Sequence, residues 1–362
     1  PTSHVVEIPA NASAITANLT VTGQTAAGYV SLTPTPTDTP GSSTLNFPLG
    51  DNRANNVTIA LAPDGTLAAV YKAPAGKHTA LILDVTGYFT AGGGQTYIPI
   101  SSVRMLDSRS ALGAPHAFVA GSSQSIPIAG TTITPPGGSP FVPVPANASA
   151  ITANLTVTGQ TKAGYVTLSP TPIVGAPTTS TLNFPTGDNR ANGLTIALDP
   201  LGEVAAVYTA ASGATTQLIL DVTGYYTTTG GRLFHPLNPG RRVDTRVPAG
   251  IDGFGNGLSG AVGLTPRSVV VAGHDAVPSG ASAITGNLTI TGQTGAGFVA
   301  LTDTAVSQPV TSTINFPLGD NRANGITAAL GTGGDAGKLW FIYQLTAGKH
   351  VQLILDITGY FE

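Results

Sequence analysis

The chain has 362 residues, of which only 9% are charged, and its formal net charge at pH 7 is −3. Such a chain has no basic patch for nucleic acid or for an anionic membrane surface, so neither is expected as a partner. No apolar run approaches the roughly 18 residues of a membrane span. Because the first residue is Pro1 and not an initiator methionine, we expect a processed or trimmed chain, and the lack of a signal peptide does not argue against secretion.

The sequence contains the same unit three times. The copies share a passage Ala-Ile-Thr-(Ala/Gly)-Asn-Leu-Thr-(Val/Ile)-Thr, a motif Gly-Asp-Asn-Arg-Ala-Asn and an ending Asp-(Val/Ile)-Thr-Gly-Tyr-(Phe/Tyr). The period of roughly 135 residues is a common size for a globular domain and too long for a solenoid unit. We therefore predict three domains, 1–92, 93–228 and 229–362, each with its own core.

The first elements in chain order are predicted to be β-strands. Residues 14–22 alternate apolar side chains with threonine and asparagine, which indicates one apolar and one hydroxyl-rich face. No segment has convincing helical periodicity. Short strands separated by Gly- and Pro-rich turns are typical of sandwiches and barrels, so we predict an all-β chain of three tandem β-sandwich domains, jelly-roll or immunoglobulin-like. Further strands of the first copy are predicted at 29–32, 44–47, 56–61, 66–71 and 79–85.

The last three strands of the first copy carry two more signals. The turns Pro-Asp-Gly at 63–65 and Ala-Gly-Lys at 75–77 favour hairpins between these strands. The run Leu-Ile-Leu-Asp-Val at 81–85 is apolar on both sides, which predicts a central strand covered on two faces and not an edge strand.

Two segments, at about 93–140 and 228–275, precede the second and third cores and resemble each other. Tyr-Ile-Pro-Ile and Arg-Met-Leu-Asp-Ser-Arg in the first match Phe-His-Pro-Leu and Arg-Arg-Val-Asp-Thr-Arg in the second. We call them leader segments. If a leader belongs to the core that follows it, the first core lacks one or two strands and offers an unpaired sheet edge to a partner chain. If it belongs to the preceding core, the last copy is the incomplete one. The alternative to an edge that waits for a partner chain is that the chain was cut there or that its beginning is missing.

These motifs, in this order, resemble a repeat module of secreted and surface proteins of bacteria, found in tandem arrays or attached to hydrolases. The resemblance includes the Arg-x-(Leu/Val)-Asp-(Ser/Thr)-Arg leader and the Asp-(Val/Ile)-Thr-Gly-Tyr ending, and it covers nearly the whole chain. It implies an extracellular β-domain and brings no defined activity. The first copy departs from the pattern because it has no leader.

The Gly-Asp-Asn-Arg-Ala-Asn motif is the sharpest polar cluster. Aspartate and asparagine oxygens suit calcium or a sugar, but calcium usually takes several carboxylates and each motif has one. This favours a structural loop in which Asp and Asn side chains bond backbone amides and the arginine pairs with a carboxylate. The residues are Asp51, Arg53, Asn55, Asp188, Arg190, Asn192, Asp320, Arg322 and Asn324.

Two further sets of charges are interpreted as structural. Asp84, Asp221 and Asp356 lie inside apolar strands, where a carboxylate must be paired. We expect each to pair with the motif arginine or with Arg109 or Arg246 of the leaders. We interpret the leader charges as ion pairs that hold leader and core together. A phosphate or sugar site is the less favoured interpretation. The leader charges are Arg104, Asp107, Arg109, Arg241, Asp244 and Arg246.

No residue is predicted to be catalytic. His78 and His350 occupy equivalent turns, but the second copy has no histidine there, so the repeat does not depend on it. Because no nucleophile or metal-binding motif is found, we expect neither an enzyme, nor a metal site, nor a cofactor.

Tandem copies, sparse charge and an unmatched leader favour a structural role. We expect an extracellular or cell-surface protein, a subunit of a bacterial filament, sheath or layer, that assembles with copies of itself through sheet-edge or strand-donation contacts. The alternatives are a multivalent array that binds a cell-surface glycan or the cell wall, and an accessory region of an enzyme.

Overall fold

The computed structural model describes residues 7–135, 137–247, 265–344 and 347–362. Strands make up 52% of the chain, which confirms the predicted all-β class. The described residues contain no α-helix, and a single 3-10 turn occurs at Gly333–Asp335. Residues 1–6 and part of the third repeat's leader, 248–264, lie outside the described residues.

Each repeat consists of two antiparallel sheets with an apolar core between them. The first repeat contains β1 (Ala12–Thr22), β2 (Gly28–Thr33), β3 (Leu45–Phe47), β4 (Arg53–Ala60), β5 (Ala68–Lys72) and β6 (Ala80–Thr90). The second contains β7 (Thr96–Asp107), β8 (Phe118–Val119), β9 (Ser123–Pro127), β10 (Ala150–Thr158), β11 (Gly164–Ser169), β12 (Leu182–Phe184), β13 (Arg190–Ala197), β14 (Glu203–Thr209) and β15 (Thr215–Thr227). The third contains β16 (Phe234–Asp244), β17 (Arg267–Val270), β18 (Ala283–Thr291), β19 (Gly297–Thr302), β20 (Ile314–Phe316), β21 (Arg322–Ala329), β22 (Lys338–Gln344) and β23 (Gln352–Phe361).

The sheet that faces the neighbouring repeats is called the inner sheet, and the other the outer sheet. The inner sheets have the strand orders β4-β1-β6, β13-β10-β15-β7 and β21-β18-β23-β16. The outer sheets have the orders β3-β2-β5, β12-β11-β14-β9 and β20-β19-β22-β17. Among the described residues, the third repeat therefore has one strand more in each sheet than the first. The second repeat has the same additional strands and also β8, which pairs with β15.

The leader segments supply these additional strands to the repeat that follows them. In the second repeat β7 pairs with β15 and β9 pairs with β14. In the third repeat β16 pairs with β23 and β17 pairs with β22. Among the described residues of the first repeat, the corresponding sheet edges are β6 and β5, and neither is paired on its outer side.

The predicted hairpins are wrong. Strands β4 and β6 both pair with β1, whereas β5 pairs with β2 in the other sheet. The connections at 63–65 and 75–77 therefore cross from one sheet to the other. A turn sequence specifies a reversal of chain direction, but it does not specify which sheet receives the next strand.

The predicted central strand is an edge strand in the first repeat. Leu81, Leu83 and Val85 of β6 are about 40% exposed, whereas their equivalents in β15 are fully buried. Strand β15 lies between β10 and β7. The apolar pattern of β6 thus fits a central position, and its second neighbour is the strand that the first repeat lacks among the described residues.

The hydroxyl-rich face of the inner strand is buried. Thr16, Asn18 and Thr20 of β1 are 7% exposed or less, as are the equivalent residues of β10 and β18. One face of each inner sheet covers the core of its own repeat, and the other face packs on the neighbouring repeats. The polar face is thus an interface between repeats.

Candidate functional site

The arginines of the three Gly-Asp-Asn-Arg-Ala-Asn motifs form a closed ring between the repeats. Each arginine opens an inner strand, and its Nε donates to the motif aspartate of its own repeat at 2.7–2.9 Å. The Nη2 group donates to the aspartate of another repeat: Arg53 to Asp320, Arg190 to Asp51 and Arg322 to Asp188. The first repeat thus binds the third, the third binds the second and the second binds the first, as in a cyclic trimer.

The arginine ring is buried, and every guanidinium nitrogen in it donates at least one hydrogen bond. Arg53, Arg190 and Arg322 are each 5–6% exposed, and each Nη1 donates to two backbone carbonyls, one from its own repeat and one from the next. Burial raises the pKa of Asp51, but hydrogen bonds and charge from Arg190 and Arg53 outweigh burial and hold this pKa below its ordinary value.

Six asparagines, paired between repeats, form a second ring. Asn55 donates to Asn287 at 2.9 Å, Asn192 to Asn18 at 2.8 Å and Asn324 to Asn154 at 2.9 Å. The Oδ1 of each donating asparagine also accepts a backbone N–H of the same neighbouring repeat, at 2.6–2.8 Å. Since Asn55, Asn192 and Asn324 are completely buried, these bonds fix the angle between adjacent repeats.

The two rings leave no room for a sugar or a hydrated cation. The space enclosed by Arg53, Arg190, Arg322 and their neighbours is about 20 Å³, which is the size of one water molecule. Among the described residues, no group of three or more His, Cys, Asp or Glu side chains is placed to hold a metal ion. The motif therefore joins the repeats to one another.

The buried aspartates of the last strands pair with leader arginines, but not with the expected ones. Arg104 Nε donates to Asp221 at 2.9 Å, and Arg241 makes the same contact with Asp356. Arg109 instead pairs with Asp107 at 2.6 Å. A register shift between Leu220 and Asp221 places Arg104 opposite the aspartate, and sequence spacing alone does not reveal such a bulge.

The leader charges form one connected network in each complete repeat. In the second repeat, Arg104 bridges Asp221 and Asp107, and Arg109 covers Asp107 from the solvent side. Burial raises the pKa of Asp221, and Arg104 offsets part of this effect. Burial also raises the pKa of Asp107, but Arg109 and Arg104 outweigh it, so the net shift is downward. The third repeat has the same network in Arg241, Asp244, Arg246 and Asp356.

Each leader also places an aromatic ring over the glycine of the Thr-Gly-Tyr ending. A Cβ atom on Gly224 would lie 2.1 Å from the Tyr97 hydroxyl, and a Cβ on Gly359 would lie 2.4 Å from the Phe234 ring. Tyr97 is fully buried, and its hydroxyl lies 2.8 Å from Thr152 Oγ1 and donates to the Thr223 carbonyl at 3.2 Å. Sequence reasoning missed this role, although the aromatic residues and the glycine both recur between copies.

Among the described residues, the first repeat has an open groove where the others hold their leaders. The groove has a volume of about 730 Å³ and runs along β6, bounded on its far side by Thr195 and Ala197 of β13. Its lining includes Thr16, Gly87 and Phe89 of the first repeat, together with residues of the second and third.

Asp84, at the position of Asp221 and Asp356, has no arginine partner among the described residues. One of its oxygens is buried and makes no hydrogen bond there, and burial raises its pKa. The expected pairing of Asp84 with Arg53 is wrong, since Arg53 belongs to the arginine ring.

Comparison with known proteins does not identify the chain. No protein-family model and no curated protein sequence matches it. A structure of PNGF-II in space group C2 is 10% identical and aligns over 91% of this chain and 84% of its own, with a TM-score of 0.18. A structure of the Gx strain of infectious bursal disease virus is also 10% identical, over 97% of this chain and 66% of its own, with a TM-score of 0.16. Scores this low carry no argument about fold or function.

Proposed function

We propose that the chain is an extracellular structural protein, a subunit of a filament, sheath or layer that assembles with copies of itself through the open sheet edge of the first repeat. The observation that carries the proposal is the edge of β6 that faces away from β1, with which no strand pairs among the described residues. Leu81, Ile82 and Leu83 of this strand are 39–47% exposed next to the groove. An exposed apolar edge strand is a site for the addition of another strand.

The arginine and asparagine rings support a role as a building block. They fix three repeats in one orientation and use the polar signatures for contacts within the chain. A glycan-binding array gains avidity when its modules present separate sites, whereas here the recurrent polar motifs are buried between the modules. Within the described residues no helix is long and apolar enough to cross a membrane.

Electron microscopy and light scattering of the purified chain at micromolar concentration test the proposal. We expect fibres or sheets, and we expect the substitution Ile82→Lys to reduce them strongly, because a charge on an edge strand opposes strand addition. Leu49→Lys is the matched control, since Leu49 is 64% exposed in a loop of the same repeat. A chain that stays monomeric, or an assembly that tolerates Ile82→Lys as well as Leu49→Lys, contradicts the proposal. Binding on a glycan array without assembly favours the alternative.

A further inference from the structure

In the groove of the first repeat, no described residue covers the position that an aromatic ring of the leader occupies in the other two repeats. A Cβ atom on Gly87 would meet only Thr16 Cγ2, at 3.0 Å, among the described residues, whereas Gly224 and Gly359 are covered by leader rings. Five aromatic residues of the three repeats cluster beside this position: Phe89, Tyr97, Tyr226, Phe234 and Phe361. Tyr97 contacts Tyr226 of its own repeat and Phe361 of the next. The corresponding ring of the first repeat would lie between Phe89 and Tyr226.

Two polar atoms, one in the groove and one beside it on β6, make no hydrogen bond among the described residues. Thr16 is 1% exposed, and its hydroxyl has no hydrogen-bond partner among the described residues. The equivalent Thr152 is bonded to the leader residue Tyr97. Asp84 likewise has a buried, unbonded oxygen where Asp221 binds the leader residue Arg104. Buried polar groups are normally satisfied. In the second repeat the leader supplies both bonds, whereas in the third it supplies the one to Asp356 and Thr285 is bonded to Thr358.

The vacant positions match one sequence spacing. In both leaders a proline follows the aromatic residue by two positions and an arginine follows it by seven: Tyr97, Pro99 and Arg104, and Phe234, Pro236 and Arg241. In the observed registers Tyr97 lies opposite Tyr226 and Arg104 lies opposite Asp221. Transferred to β6, these registers place an aromatic residue opposite Phe89 and an arginine opposite Asp84.

We propose that the groove binds an extended segment of another molecule in which an aromatic residue is followed by proline at the second position and arginine at the seventh. The segment pairs antiparallel with β6, its ring covers Gly87 near the Thr16 hydroxyl, and its guanidinium pairs with Asp84. Charge complementarity selects this occupant, because Asp84, the β6 residue next to the groove residue Val85, is a carboxylate without a counter-ion among the described residues.

The source of the segment rests on the proposed function. Within the described residues both leaders are already paired with their own repeats, so neither is available to the first repeat without leaving its sheet. In an assembly, a neighbouring subunit supplies the segment by exchange: one of its leaders leaves its own sheet and pairs with β6 of the next subunit. The chemistry of the groove and the source of its occupant are therefore tested separately.

Binding of a fluorescent peptide that copies residues 96–109 to the 362-residue chain tests the groove. We expect saturable binding that Asp84→Asn and Gly87→Ala each weaken by about tenfold or more. Gly87→Ala adds one methyl group where the ring would lie, and among the described residues it meets only Thr16 Cγ2, at 3.0 Å, which can be accommodated by a small shift of that methyl group. Asp38→Asn, at an exposed position of the same repeat, is the control and should bind as the unaltered chain does.

Peptide variants repeat the test without altering the protein. Replacement of the peptide's tyrosine or its first arginine by alanine should each weaken binding by about tenfold. The arginine replacement should have little further effect on Asp84→Asn, since both remove the same ion pair. No saturable binding at about 100 μM peptide, a concentration that a micromolar complex saturates, or equal binding to Asp84→Asn, Gly87→Ala and the control, overturns the proposal.

The same peptide separates the groove from the assembly. If the chain assembles and the peptide neither binds nor limits growth, the groove proposal is overturned and the proposed function stands. If the peptide binds with the expected selectivity and the chain does not assemble, the groove proposal is supported and the proposed function falls. If the peptide binds and also caps the assembly, both are supported.

Discussion

Strands β6 and β15 have almost the same sequence and different surroundings. Both contain Leu-Ile-Leu-Asp-Val, and both pair with the Thr-rich inner strand of their repeat. In β15 a leader strand on the other side buries the apolar residues and neutralises Asp221, whereas in β6 the same residues are exposed and Asp84 has no arginine partner among the described residues. The environment of a strand is therefore set by its neighbouring strands as much as by its own sequence.

The largest expected difference between the two regions concerns the two aspartates. Asp221→Ala leaves Arg104 beside a buried gap and disrupts its link to Asp107, so we expect a loss of about 3–5 kcal/mol in the free energy of unfolding. Asp84→Ala removes a carboxylate that has no ion pair among the described residues, and it should change stability by about 0.5 kcal/mol or less. Urea denaturation of both variants measures the difference. Equal effects would show that the leader arginine does not stabilise the second repeat.

The two glycines should differ by a smaller amount. Gly224→Ala forces a Cβ atom against the Tyr97 ring and should cost about 1–3 kcal/mol by overpacking. Gly87→Ala meets only one methyl group and should cost about 1 kcal/mol or less, the usual size of a tolerated surface change. Thermal unfolding of the pair is sufficient to compare them. If Gly87→Ala is the more destabilising of the two, the groove is not the vacant equivalent of the Tyr97 position.

The smallest expected effect is the acid sensitivity of the arginine ring. The pKa of Asp51 is lowered from its ordinary value of 3.8, so its contribution is present above that value and is lost as the pH falls through the folded-state pKa. Burial raises the pKa of Asp221 and of Asp356, which act in the opposite direction. The measurement is therefore the difference in urea midpoint between the chain and Asp51→Asn, from about pH 5 to about pH 2. This difference should shrink as the pH falls. A constant difference would mean that the contribution of Asp51 to stability does not depend on the charge of its carboxylate.

The sequence was sufficient for the fold class. Period-two alternation in 14–22 and the regular Gly- and Pro-rich turns depend on local chemistry, and the structure has strands at each predicted position of the first copy. The order in which strands pair depends on contacts between distant segments, and a turn such as Pro63-Asp64-Gly65 does not encode it. The hairpin prediction failed for that reason.

The sequence shows which residue types form the candidate site, but it does not show which of them contact one another. Each motif has one aspartate and one arginine, which suits a pairing within a loop and suits equally a ring that passes from copy to copy; only the arrangement in space separates them. A bulge in β15 determines that Asp221 binds Arg104 and not Arg109, and the spacing of charges does not reveal it. Gly87 becomes conspicuous only by comparison with Gly224 and Gly359, which are covered by the rings of Tyr97 and Phe234. Among the described residues no ring covers Gly87.

Hydrogen exchange of the β6 amides tests most directly the claim that this edge receives a leader-type strand. In the isolated chain the amides of β6 that point away from β1 should exchange far faster than their equivalents in β15, because the latter are paired with β7. In the assembled state, or with the peptide of residues 96–109 bound, they should become as protected as those of β15. Amides of β6 that are already protected in the isolated monomer, or that exchange at the same rate before and after assembly, would contradict the account.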